Sequence, residues 1–185
     1  MFREEKRQAI HILLFFLAFL LKYLSRWQAA LMFLLLLITA LIFVPHSKRR
    51  FHFYRRFEKK YSKGGIFYFL VLFVLALIFP PYIVAVSWAI LALGDGMATL
   101  LGDYFKAKEL FWNKDKTYAG SLAFIIFGTL GAFVMLKWML PGLSGSFSIA
   151  LKTTLVAAVV ESLPLKINDN VTVALSSAVV LYLLI

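Results

Sequence analysis

Seven apolar runs account for most of this chain: residues 9–24, 27–45, 65–79, 82–101, 120–140, 147–163 and 171–185. No other feature limits the fold as strongly. Inside a bilayer every backbone N–H and C=O must be satisfied internally, so runs of this kind become helices. At 62% hydrophobic residues and a mean hydropathy of +0.86, the chain is far more apolar than the roughly 45–50% of a soluble domain. The expectation is one all-α integral membrane domain over 1–185, with about seven transmembrane helices. Met1–Arg7 before an apolar run looks like a signal peptide. No small-residue cleavage site precedes Lys22 and further runs follow at once, so a retained first helix is expected.

The charges orient such a bundle. With seven spans, the N-terminus and the links after the second, fourth and sixth runs share one side. That side carries sixteen Lys and Arg, whereas the other carries only Lys22, Arg26 and Lys137. By the positive-inside rule the N-terminus is cytoplasmic and the C-terminus outside, giving a multi-pass protein of the cell membrane. Tyr23, Trp27, Tyr82 and Trp138 then fall at the outer interface. Residues 46–64 hold Phe53, Phe57 and Tyr61 at a spacing of four among Arg55, Arg56, Lys59, Lys60 and Lys63. This reads as a basic amphipathic segment on the inner leaflet, binding anionic lipid rather than nucleic acid.

Within the apolar runs stand two acids, Asp95 and Glu161. A carboxylate at membrane depth costs roughly 2.5–3.5 kcal/mol on insertion scales, and such groups face a bundle interior or a watery cavity. Asp95 lies between Gly94 and Gly96, which remove side-chain bulk beside it and let a ligand or a neighbouring helix approach the backbone. Both acids fall in the cytoplasmic halves of their runs, Asp95 about 9 Å and Glu161 about 3 Å from the inner end. They read as Mg²⁺-binding or catalytic carboxylates, or as acids paired with a lysine to hold helices together.

Two links carry more polar chemistry than a turn requires. The link 102–120 runs into Lys114-Asp115-Lys116-Thr117-Tyr118-Ala119-Gly120-Ser121, with Lys116 and Thr117 before the run 120–140 and Gly120 and Ser121 at its start. Lysines, hydroxyls and a helix N-terminus suit a phosphate, although no Walker A pattern is present. Residues 164–170 add Lys166, Asn168, Asp169 and Asn170 after Glu161. Carboxylates and amide oxygens are hard ligands that fit Mg²⁺, with substrate phosphate completing the shell. The same residues would also serve as ordinary helix caps. The chain has no cysteine and its three histidines lack zinc-site spacing, which excludes disulfides, thiolate catalysis and Cys-ligated zinc.

The order Gly94-Asp95-Gly96, then Lys116-Thr117-x-x-Gly120-Ser121, then Glu161-Ser162-Leu163-Pro164…Asp169-Asn170-x-Thr172-Val173 resembles the CTP-dependent lipid kinases. These are the phytol, dolichol and yeast-type diacylglycerol kinases, relatives of the phosphatidate cytidylyltransferases. Glu5-Lys6-Arg7…His11 and Gly64-Gly65 add to the likeness. Ala119 departs from it, standing where the family often carries an acid. The resemblance implies an Mg²⁺-dependent phosphotransferase, with CTP as donor and a lipid alcohol or lipid monophosphate from the inner leaflet as acceptor. Asp95, Glu161 and Asp169 would be its catalytic and metal residues. Gly94, Gly96, Lys116, Thr117, Gly120, Ser121, Lys166, Asn168 and Asn170 would hold the nucleotide. A cytidylyltransferase forming a CDP-lipid needs much the same residues. A small ion-coupled transporter using Asp95 and Glu161 would need polar residues toward the outer side, and the third run has none. The oligomeric state stays open.

Overall fold

A computed structural model of the chain describes residues 2–47, 61–105 and 108–185. The stripe of residues 48–60, and with it most of the basic segment, lies outside the described residues. All seven apolar runs are helical. The first comprises α1 (Phe2–Leu13), α2 (Phe15–Ala18) and a 3-10 turn, Phe19–Tyr23. The second is α3 (Arg26–Ile38), a π turn Thr39–Phe43 and α4 (Val44–His46). Next come α5 (Lys63–Ile78), α6 (Pro81–Ala89), a π turn Ile90–Asp95 and α7 (Gly96–Phe105). The last three are α8 (Tyr118–Met139), α9 (Ser146–Ser162) and α10 (Asp169–Leu184). Arg26–His46, Pro81–Phe105 and Tyr118–Met139 are long and apolar enough to cross a membrane.

Local sequence explains the boundaries. Ser25 Oγ accepts from Gln28 N at 3.3 Å while Gln28 Oε1 accepts from Ser25 N at 2.8 Å, a reciprocal cap that starts α3. Pro80-Pro81 cannot continue α5 but suits the first turn of α6. Thr117 and Asn168 cap α8 and α10. Gly145 takes a left-handed backbone (φ 69°) at the start of α9, a conformation that costs glycine nothing.

The centre of the bundle is the continuous helix α6–α7, flanked by α8 and α10, with α9 packed on those two and α3 and α5 packed together on one side. Trp88, Phe33 and Phe124 are fully buried, and the Trp88 indole N–H donates to Tyr68 Oη at 2.7 Å. Lys22 Nζ donates to the Trp138 carbonyl at 2.8 Å, and the Tyr23 and Trp138 rings meet at 6.3 Å. Two residues expected at the outer interface thus sit together, joining the first apolar run to the end of α8.

One difference from the all-helical expectation stands in the link 102–120. Glu109–Leu110 (β1) pairs antiparallel with Asn113–Thr117 (β2) across Phe111-Trp112. The physical reason is a tether. Trp112 Nε1 and Asn113 Nδ2 both donate to the Ser162 carbonyl, at 3.0 and 3.1 Å, satisfying an acceptor at the C-terminal end of α9.

Candidate active site

The first acid rests on the central helix. Asp95 ends the π turn and is buried, with 7% of its surface exposed. Such turns place an extra residue in a helix and recur at functional sites. Asp95 Oδ2 lies 3.6 Å from His11 Nε2 of α1. His11 Nε2 also lies 3.0 Å from the Leu91 carbonyl, an acceptor, so this nitrogen carries the proton. Gly96 is what lets α1 in: a Cβ there would stand 2.6 Å from Ile12 Cγ1.

Lys116, at the end of the hairpin, draws the other two acids together. Its Nζ donates to Glu161 Oε1 and lies 3.6 Å from Asp169 Oδ2. Burial works against its charge, but Asp95, Glu161 and Asp169 together outweigh that and hold its pKa above the ordinary lysine range. Thr117 Oγ1 accepts from Gly120 N at 3.1 Å and so opens α8. A Cβ on Gly102 would sit 2.9 Å from that same hydroxyl, so α7 and the start of α8 come this close only without a side chain there. Asp169 begins α10, and Asn168 Oδ1 accepts from Asn170 N at 3.1 Å.

These elements enclose a cavity of about 630 Å³. Lys116, Thr117, Gly120, Ser121, Glu161, Asn168 and Asp169 line it, so the second and third sequence segments converge on one space. Ser121 Oγ is buried and has no hydrogen-bond partner among the described residues. The positive end of the α8 dipole opens on the same cavity.

The remaining residues singled out in the sequence sit elsewhere. Asp95 lies behind the lining, against His11. Gly94 packs on α8, where a Cβ would meet Phe124 Cζ at 3.3 Å and Gly128 Cα at 3.4 Å, and Gly96 packs on α1. Asn170 is buried and donates through Nδ2 to the Gly64 carbonyl at 2.9 Å, tying α10 to α5. Lys166 is exposed and does not line the cavity, and Lys152 is exposed on α9.

Residues not singled out as site residues also reach the cavity: Arg7, Thr99, Asp103, Asn113 and Asp115. Arg7 and His11 belong to the charged N-terminal cluster, and their spacing of four puts them on one face of α1. That spacing was the available signal. Nothing local in Asn113 or Asp115 marks them, since the hairpin that delivers them is held by α9.

A lysine held by two carboxylates beside a helix N-terminus is chemistry suited to a phosphorylated ligand. Known proteins give the same direction. The chain is 33% identical to phytol kinase 1, chloroplastic, of Arabidopsis thaliana, over 65% of this chain and 43% of the relative. It is 31% identical to the farnesol kinase, chloroplastic, of the same plant, over 69% and 44%. A probable phytol kinase 1 of Glycine max is 30% identical over 65% and 43%. The matched region thus spans less than half the length of these relatives. No family model and no solved structure matches the sequence. Over about two thirds of its length the chain is thus similar to the phytol and farnesol kinases.

Proposed function

We propose that this chain carries the catalytic core of a lipid kinase that transfers the γ-phosphoryl group of CTP to the hydroxyl of a membrane lipid alcohol. The observation that carries the reading is the convergence of Lys116, Glu161 and Asp169 at the N-terminus of α8. Phosphoryl transfer asks a protein mainly for positioning and for opposite charge around the phosphates. Lys116, Thr117, Ser121 and the first N–H groups of α8 bind the phosphate oxygens. The acceptor oxygen forms its bond to the γ-phosphorus as the β–γ bridging P–O bond breaks, and the hydroxyl proton passes to a carboxylate of the site.

The donor set suits Mg²⁺ when a nucleotide shares it. Among the described residues no three His, Asp or Glu side chains are grouped closely enough to hold a metal. Glu161 and Asp169 nevertheless point at one common cation, the Lys116 ammonium. Two carboxylates plus phosphate oxygens and water are the usual Mg²⁺ shell. When bound, the ion would neutralise charge on the phosphates. CTP as donor rests on the family resemblance.

Seven crossings with the N-terminus cytoplasmic accompany this reading. Their support is the excess of Lys and Arg on the side that bears the cavity. The nucleotide then arrives from the cytoplasm and the alcohol from the inner leaflet.

The test is purified protein in detergent with Mg²⁺, γ-labelled CTP or ATP, and phytol, farnesol, a polyprenol, diacylglycerol and phosphatidate. Label in the lipid fraction establishes the kinase and its acceptor. Labelled pyrophosphate formed with phosphatidate would make the chain a cytidylyltransferase. No transfer to any lipid from either nucleotide would overturn the reading.

A further inference from the structure

The cavity has two unlike walls. One, from α7, β2 and α8, is hydroxyl, glycine and charge. The other is the strap joining α9 to α10, where Leu163, Leu165 and Ile167 line the same space. These three are 43%, 46% and 61% exposed, so they are not core residues of the bundle. They alternate with Pro164, Lys166 and Asn168 along the strap. Glu161 stands just before the strap and Asp169 just after it, so the apolar strip is bracketed by the two carboxylates that meet Lys116. The strip also continues outward. Val160 lines the cavity, and Val156 and Val159, three residues apart on α9, are exposed up to Leu163 of the strap. An apolar track therefore leads from the acids to the surface of the bundle.

We infer that this strap is the binding subsite for the hydrocarbon chain of the acceptor alcohol, and that it sets chain-length preference. The inference rests on the phosphotransfer reading and adds a subsite to it. The hydroxyl end lies by Glu161 and Asp169, and the aliphatic chain runs over Leu163, Leu165 and Ile167 and leaves along Val159 and Val156. A water-soluble acceptor would gain nothing from three exposed branched side chains on the cavity wall. A long aliphatic alcohol gains burial in proportion to the area covered.

The experiment compares wild type with Leu165→Asn and Ile167→Gln in mixed micelles of fixed composition. Acceptors are phytol and a short, water-soluble allylic alcohol. KM for phytol should rise about tenfold in each variant, while KM for the short alcohol and for the nucleotide moves by less than about twofold. Equal changes for both alcohols, or none for phytol, would overturn the subsite; strap residues that only grip the bilayer give that result. A second measurement does not need turnover. A photoreactive long-chain alcohol on wild-type protein should label 163–167 and lose that label to excess phytol. Label confined to other faces of the bundle would overturn the subsite, whereas failure of transfer with labelling at the strap would count against the kinase reading alone.

Discussion

Two long apolar helices of this protein have opposite surroundings. Pro81–Phe105 has 78% of its most apolar stretch buried, whereas Arg26–His46, the more apolar of the two, has 28% buried. In water the order would be reversed, because apolar residues are driven inside. In lipid the surroundings are as apolar as leucine, so hydrophobicity does not select the interior. Close packing and polar contact select it instead. Arg26–His46 presents Leu31 and Leu35 at 55% exposure. Pro81–Phe105 is built of Ala85, Ser87, Ala89, Ala92, Gly94, Gly96 and Ala98, and it carries Asp95. Small residues let α8 and α1 approach, and the space so defined holds the acid.

The largest test of this contrast is to neutralise the acids of the interior. Asp95→Asn and Glu161→Gln should each lower the rate of labelled phosphoryl transfer about a hundred- to a thousandfold, with the elution volume in detergent unchanged. Transfer within tenfold of wild type would remove that acid from the chemistry.

Next comes the cation that joins Glu161 to Asp169. Lys116→Gln should cost about a hundredfold and weaken nucleotide binding, read by titration with a fluorescent CTP analogue. Its titration has a definite sign. The folded pKa lies above the usual lysine value of 10.5. The stabilisation from the charged pair is therefore fully present below that value and is lost only as pH climbs through the higher folded one. Thermal unfolding of wild type between about pH 7 and pH 9 should show no loss traceable to Lys116; a loss absent from Lys116→Gln would contradict the pairing.

Packing effects are smaller. A Cβ on Gly128 of α8 would sit 2.8 Å from Thr154 Cγ2 and 3.6 Å from Gly94 Cα. Gly128→Val should destabilise by about 1–3 kcal/mol, seen as a lower melting temperature in detergent. The smallest effect belongs to the outer helix. Leu35→Ala should change stability by less than about 0.5 kcal/mol. Equal melting shifts for Gly128→Val and Leu35→Ala would erase the distinction between the two helices.

Much of the fold was legible because its causes are local. Each apolar run became helical, and Ser25, Thr117 and Asn168 capped helices where short polar residues precede them. The segments around Lys116 and Glu161–Asn170 stood out because polarity next to an apolar run is conspicuous. The roles of individual residues within them were less visible. Gly94 and Gly96, read as admitting a ligand or a neighbouring helix, meet helices, Phe124 of α8 and Ile12 of α1. Asn170, read with Asn168 as a ligand, spends its side-chain amide on Gly64. The hairpin escaped notice because its tether, the Ser162 carbonyl, lies about fifty residues away along the chain.

The sequence by itself determined that this chain is a helical bundle for lipid surroundings, where most of its helices begin, and which acids interrupt its apolar runs. Hydropathy, capping and the cost of an unpaired backbone group act over a few residues and can be read there. Only the tertiary structure decided which acids share Lys116, that Asp95 turns instead to His11, and that the strap after Glu161 lines the same cavity. Those outcomes depend on which helix faces meet, and in a bundle whose exterior is apolar too, hydrophobicity does not say which face turns inward.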